Sequence, residues 1–424
     1  MLTNPEERRR LRQVKAAQRA KKQAQSRKLL LRVAAAAVVL IACGILIFSL
    51  SRRAPSQPDT PSTGQQVATE QSSPSQPETK PTSTTIHYAA VGDLNVNEQT
   101  VAAGGISYIY TDAFRDVAPL LADADITSVN FEGNFCGEPY GSSHSAPQSM
   151  ATALQKAGVD LVQMANSYAI NRGLSGLSDS IYAVRSAGME PLGVYATNQD
   201  FKAGKGYTIR TVEGIKLAFV AFTKGMDGMA LPPGSENCVN VLYSDYDSVY
   251  KTIDRQRITS ILSAVEKEKP DLVIALLHWG SEFNNTISSS QSKIVELLQA
   301  NGVDAIIGTH SHYVQQISYD SQSGQLIAYS LGDFFSDAAR AGSEYSIVLD
   351  LEITKDHTTG KTKITDYSYT PIFSVREEEQ PMRVVRIQQA ISAYENNHLQ
   401  RVSEETYNKM LYALERIEAR VKGE

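Results

Sequence analysis

The stretch DAIIGTHSHYVQQI (Asp304–Ile317) sets two histidines one residue apart, directly after an apolar run. Asp304 to Ile307 reads as a short buried strand that Gly308 interrupts. In an extended segment His310 and His312 point to the same side, about 6.6 Å apart along the chain. Two imidazoles at the end of a strand can reach one metal ion or two neighbouring ones, and imidazole is the commonest protein metal ligand. A pair of loop histidines can equally bond to backbone, so the rest of the chain must decide.

Other segments end in the same way. IHYAAVGD reads as a strand ending at Gly92-Asp93, ADITSVNFEG as one ending at Asn130 and Glu132, GVDLVQMANS as one ending at Asn166 and Ser167, and DLVIALLHWG as one ending at His278. Helical patterns lie over Thr111–Ala122, Gln148–Ala157, Leu174–Ala187, Tyr246–Lys267 and Ser288–Ala300. This alternation predicts an α/β fold. RTVEGIKLAFVAF adds a hairpin, and Tyr313–Tyr329 and Tyr345–Tyr369 add antiparallel strands, so the expectation is a mixed sheet or two sheets face to face.

Ligands of open α/β sheets sit beyond the carboxyl ends of the strands. Asp93, Glu132, His278, His310 and His312 all fall at such ends. Each has a bland explanation: a turn aspartate, a paired glutamate, a packed histidine beside the only tryptophan. Five at equivalent positions are hard to ascribe to packing. Two carboxylates with three imidazoles suit one or two divalent ions of Mn, Fe or Zn, rather than Ca or a thiolate zinc site.

Working outward, charge is uneven over the 424 residues. Residues 1–32 carry +9 of a total of −5, leaving −14 for the remainder. A basic arm can bind nucleic acid, but this one precedes VAAAAVVLIACGILIFSL (Val33–Leu50), eighteen residues without a charge. With Leu29–Leu31 in front and Arg32 snorkelling to the interface, the run is long enough for a membrane helix. A signal peptide would have a shorter basic region and a better cleavage site than SLSRRAPSQ. The positive-inside rule keeps the basic side in the cytoplasm and puts the bulk of the chain outside, with no nucleic-acid partner expected. From Arg53 to about Thr85 the Pro, Ser, Thr and Gln content predicts a disordered tether. Cys43 lies in the span; Cys136 and Cys238 follow it, and whether they pair is left open.

Taken together, the motifs resemble the CapA (poly-gamma-glutamate capsule biosynthesis) family, whose domain is related to calcineurin-like metallophosphoesterases. The resemblance covers roughly residues 86–376 and keeps the order of motifs: VGDLNVNE, NFEG at Asn130–Gly133, LHWGSEF with Glu282, Gly308–His312 followed by Val314 and Gln315, and YSLGDF, where Asp333 stands in the place of an Asn. It implies a four-layer α-β-β-α sandwich with a metal centre at one edge. It also implies ligand roles for Asp93, Glu132, His278, His310 and His312, and substrate contacts for Asn130, Asn166, Glu282 and Asp333. The family's Ala-Asn-Asn-His stretch departs here to ANSYAINRG. Ser167 stands at the ligand Asn, as a weaker neutral ligand, and Tyr168 stands at the His that acts on the leaving group in related enzymes. A Tyr hydroxyl, with an ordinary pKa near 10, is a poor general acid near neutral pH.

The expected organisation is a basic cytoplasmic tail (1–28), a transmembrane helix (29–50), a linker (51–85), the family domain (86–380) and a segment of two amphipathic helices (381–424) to which no chemistry is assigned. Three functions stay open. One is a membrane-anchored component of capsule synthesis or export that handles an anionic polymer alongside synthase or export proteins, with bases such as Arg172 and Lys224 focusing a positive cleft against the −14 background. The others are a metal-dependent hydrolase of phosphoesters or another envelope substrate, and an inactive scaffold. His87, His144, His357 and His398 fall outside the ligand pattern. The topology has a direct test: protease added to intact protoplasts is expected to remove the C-terminal part, and its survival there with cleavage only after lysis would reverse the orientation.

Overall fold

A computed structural model describes residues 82–378, 380–397 and 402–424. The basic tail, the apolar span, most of the linker, Cys43 and His398 lie outside the described residues. Among the described residues, no helix is long and apolar enough to cross a membrane.

Among the described residues fourteen strands follow in chain order: β1 (Ser83–Asn95), β2 (Ile126–Glu132), β3 (Leu161–Gln163), β4 (Glu190–Leu192), β5 (Tyr207–Val212), β6 (Ile215–Thr223), β7 (Leu272–His278), β8 (Ala305–Thr309), β9 (Ile317–Asp320), β10 (Gln325–Ala328), β11 (Asp333–Phe335), β12 (Tyr345–Asp356), β13 (Thr362–Val375) and β14 (Arg383–Arg386). They form two mixed sheets. The first runs β14-β13-β12-β1-β2-β3-β4, with β11 also on β1; the second runs β5-β6-β7-β8-β10-β9. β1 to β4 are mutually parallel, as are β6, β7 and β8.

Alternating side chains divide between three cores. Ile86, Tyr88 and Ala90 of the first sheet meet Leu217, Phe219, Ile274 and Ile307 of the second between the sheets. The opposite face of the first sheet, with Ala89, Val91, Val129 and Phe131, packs on helical residues such as Leu121, Leu154 and Ile181. The outer face of the second packs Val220, Phe222 and Leu277 on Ile258, Leu262, Ile294 and Leu298. The central parallel strands β2, β7 and β8 are buried on both faces, which is why their sequences read as near-continuous apolar runs.

Several elements differ from the sequence expectation. The helix expected over 111–122 is two short ones, Thr111–Phe114 and Ala118–Asp123, because Pro119 cannot donate into a continuous ladder. That expected from Tyr246 begins only at Arg255. Asp254 caps it by accepting from the Arg257 N–H, while Asp245 accepts from Lys251 and Thr252 and holds the preceding loop. The linker boundary also moves: Ser83–Thr85 already pair with β12, where β-branched Thr85 meets Thr354 across the strands at 2.8 Å. Arg383–Arg386 forms edge strand β14 rather than a helix, since β-branched Val384 and Val385 both find apolar cover. Helices Ile387–Glu395 and Glu404–Lys422 follow, and Met410, Ala413 and Ile417 close the inner core. Among the described residues Cys136 and Cys238 are not paired with each other and are both free.

One segment ties the sheets together. Leu331 donates its N–H to Gly308 of the second sheet at 3.1 Å, and Gly332 accepts from the Asp93 N–H of the first at 3.0 Å. The approach is so close that a Cβ on Gly92 would lie 1.7 Å from the Gly332 oxygen, and one on Gly308 would lie 2.0 Å from the Tyr329 oxygen. Both obstacles are backbone, so no rotamer change relieves them. Gly308→Ala is therefore expected to destabilise the fold by about 1–3 kcal/mol or to prevent folding, read from the midpoint of denaturant unfolding.

Candidate metal centre

The carboxyl ends of β1, β2, β7 and β8 meet at one edge. A bulge in the β1–β2 ladder between Val91 and Asp93 re-aims the Asp93 side chain, which is fully buried. Glu132 and His278 end their strands. His310 and His312 follow β8, but not in extended backbone: both lie in the left-handed region, at φ 86° and 60°. Their rings are 6.4 Å apart and serve different neighbours. Non-glycine residues held at such angles cost on the order of 1–3 kcal/mol each and persist where surroundings over-determine them. Here the His310 N–H is held by Asp93 Oδ2 at 2.9 Å.

The five predicted residues converge as two groups. Glu132, His278 and His310 present ligand atoms within 4.8 Å of one another, and so do Asp93, His312 and Asp333. Asp333, expected on the substrate side, instead pairs with His312 Nδ1 at 2.8 Å and completes the second group. Its position was legible only as an oddity, an acid in the place of an amide.

Asn130 and Asn166, also expected to face substrate, are buried beneath the centre. The Asn130 amide donates to Asp93 Oδ1 at 2.6 Å and lies 3.3 Å from both Glu132 Oε1 and His278 Nδ1. Asn166 donates to Asn130 Oδ1 at 3.1 Å and to the Phe131 carbonyl at 2.7 Å. The Ser167 hydroxyl sits 3.1 Å from His278 Nε2, while Thr309 Oγ1 lies 3.3 Å from the Nδ1 side of that ring.

Electrostatics follow from burial. Burial, then the charge of Asp333, pushes Asp93 up to about 7. Burial, then Asp93, pushes Glu132 well above the usual carboxylate range. Burial and the neighbouring cations hold His278 and His310 well below theirs, as neutral rings. Burial acts to lower His312 too, but Asp333, Glu132 and Asp93 outweigh it and raise it to about 10. Both ring nitrogens of His310 are buried without a hydrogen-bond partner among the described residues. Such groups are costly unless something satisfies them. Neutral imidazole nitrogens beside crowded carboxylates form a donor set suited to a divalent cation.

Beyond the centre lies a cleft of about 180 Å³, lined by His312 and Asp333 together with Asn97, His144, Tyr168, Glu282 and Asp337. Tyr168 stacks on His144 with ring centroids 4.2 Å apart, and burial pushes its hydroxyl up from the ordinary value, away from acid catalysis near neutral pH. His144, set aside by sequence spacing, is thus at the site; its signal was only its nearness to Glu132. His87 and His357 lie elsewhere, bonded to Asp350 and Thr84. Phe283 stacks on His312 at 4.7 Å, and the Arg340 guanidinium lies 4.5 Å over Phe283. Lys224, partly buried, donates to the Gly280 carbonyl at 3.1 Å, and its charge is among those that lower His278 and His310.

A two-sheet α/β protein with paired carboxylate–imidazole groups at the ends of its parallel strands is the class this geometry defines. Residues 87–338 match the family described as bacterial capsule synthesis protein PGA_cap, and the chain belongs to that family. Its relatives include capsule biosynthesis protein CapA of Bacillus anthracis, 27% identical over 283 residues (63% of this chain, 64% of that one). Another is PGA biosynthesis protein CapA of Bacillus subtilis strain 168, 23% identical over 262 residues (59% and 63%). The match thus spans a little under two thirds of each relative's length. Among solved structures, it is similar to the calcineurin-like phosphoesterase YfkN of Bacillus subtilis, at 15% identity and TM-score 0.42, over 78% of this chain and 99% of that one.

The Asn130 amide is the most exacting feature of the centre. Asn130→Asp would set a further carboxylate against Asp93 in a buried site. In the presence of chelator it is expected to lower stability by at least about 2 kcal/mol, read by denaturant unfolding, whereas the exposed His87→Gln is expected to change it little.

Proposed function

We propose that this chain is a membrane-anchored extracellular component of poly-gamma-glutamate or related capsule synthesis or export, and that its strand-end centre holds one or two divalent ions with which it handles an anionic polymer. The observation that carries the reading is His310: two buried, unpartnered ring nitrogens beside Glu132 and His278. Glu132, His278 and His310 would hold one ion; Asp93, His312 and Asp333 would hold a second. The mixed nitrogen and oxygen donors fit Mn, Fe or Zn. Such an ion supplies positive charge that attracts and polarises an anionic oxygen.

The protein's own residues supply the rest. Asn130 and Asn166 fix the carboxylates from below. Arg340 offers a cation near the cleft, held over the Phe283 ring, while Lys224 adds positive potential at the histidines. These bases give a polyanion a local path in despite the −14 carried by residues 33–424. Arg172, expected to share this role, lies at the start of helix Gly173–Ser186 and is not among the cleft residues. The sandwich would then be the four-layer metallophosphoesterase type, anchored by the apolar span Val33–Leu50 with partner synthase or export proteins alongside.

The reading is tested by metal content and melting of the purified chain. Mn, Fe or Zn is expected to co-purify, and a hundredfold excess over Kd to stabilise the fold by about 2.7 kcal/mol. His310→Ala is expected to lose most of the metal. A chain that takes up no metal would favour a scaffold of an envelope complex; metal with phosphodiester cleavage would favour the hydrolase.

A further inference from the structure

Strand β2 ends at Glu132, and the loop beyond it folds back on itself. The Asn134 N–H donates to the His144 carbonyl at 2.8 Å, and the Ala146 N–H returns the bond to the Asn134 carbonyl at 2.8 Å. This places the His144 ring in the cleft, half-buried, stacked on Tyr168. His144 adopts a left-handed backbone, φ 53°, which histidine tolerates better than most residues. Its Nδ1 lies 2.9 Å from the Val96 carbonyl. A carbonyl only accepts, so Nδ1 carries the proton of that bond, and the tautomer of the neutral ring is set. Among the described residues, no hydrogen bond is found at Nε2.

A ring pinned at one nitrogen, stacked on an aromatic platform and left open at the other is held for something that enters the cleft. His312 and Asp333 line the same space, so an anion drawn to the centre arrives beside His144. We propose that His144, through Nε2, is an anion-contacting residue of this cleft, binding an oxygen of a phosphate- or carboxylate-bearing ligand, with Tyr168 as the positioning residue that sets its ring. In the protonated ring Nε2 donates to an oxyanion; in the neutral ring it accepts from a ligand hydroxyl. The inference rests on the metal-centre reading, because the centre's positive charge is what brings the anion in.

The test uses the purified full-length chain loaded with manganese, and inorganic phosphate or acetate as the probe. Three quantities are measured: manganese content, melting temperature and probe affinity by calorimetry. His144→Gly relieves the left-handed backbone and leaves a ring-sized space; His144→Asn keeps a residue tolerant of that backbone. Both are expected to retain manganese and melting temperature while binding phosphate about 10-fold more weakly, the scale of one charge-assisted hydrogen bond. Free imidazole is expected to restore phosphate affinity in His144→Gly and not in His144→Asn, a rescue that a purely structural role would not produce. The same pattern with acetate would mark the carboxylate as the ligand group; with phosphate alone, the phosphoryl group. Wild-type phosphate affinity in both variants, or a loss that follows loss of manganese without imidazole rescue, would overturn the role of His144 and leave the centre standing. A chain that binds neither manganese nor phosphate would overturn both readings together.

Discussion

Leu331 and Gly332 are neighbours in sequence, yet the first bonds to Gly308 in one sheet and the second to Asp93 in the other. That crossing is the constraint on which the rest depends. It brings the carboxyl ends of β1 and β8 within side-chain reach, and it needs glycine at 92 and 308 because backbone already occupies the space of a Cβ. The same two bonds deliver Asp333 one residue later, in register with Asp93 across the β1–β11 pair. Sheet stacking alone would leave two apolar faces in contact with no reason for their polar ends to align.

Alignment creates an electrostatic difficulty that the neighbouring residues answer. Asp93, Glu132 and Asp333 are nearly water-free, and burial with mutual repulsion raises the first two. Isolated charges in such a setting are expensive, so partners or cations must compensate. His312 compensates on one side through its bond to Asp333. On the other, His278 and His310 stay neutral, and Asn130 mediates between the acids. What remains unsatisfied is His310, at the position where an ion would do most to relieve the carboxylates.

The surroundings then divide the labour. Buried amides hydrogen-bond the acids of the centre, while the cleft beyond carries His144 on its Tyr168 platform and Glu282, with Arg340 over Phe283 nearby.

Much of this was legible in the residues themselves. Apolar runs with abrupt polar ends marked the parallel strands, and Asp93, Glu132, His278, His310 and His312 were named by lying at those ends, because strand periodicity and termination are local properties. The break at Pro119, the late start at Asp254 and the strand at Arg383–Arg386 were missed where a cap, a missing N–H or a neighbouring strand outweighed the apolar pattern. The site's finer arrangement was not local at all. The left-handed turns that part His310 from His312, the bulge that aims Asp93, the burial of Asn130 and the return of His144 to Tyr168 each depend on contacts between segments far apart in the chain. Sequence spacing determined which side chains reach the edge; only sheet register and the crossing at Leu331–Gly332 decided which of them meet.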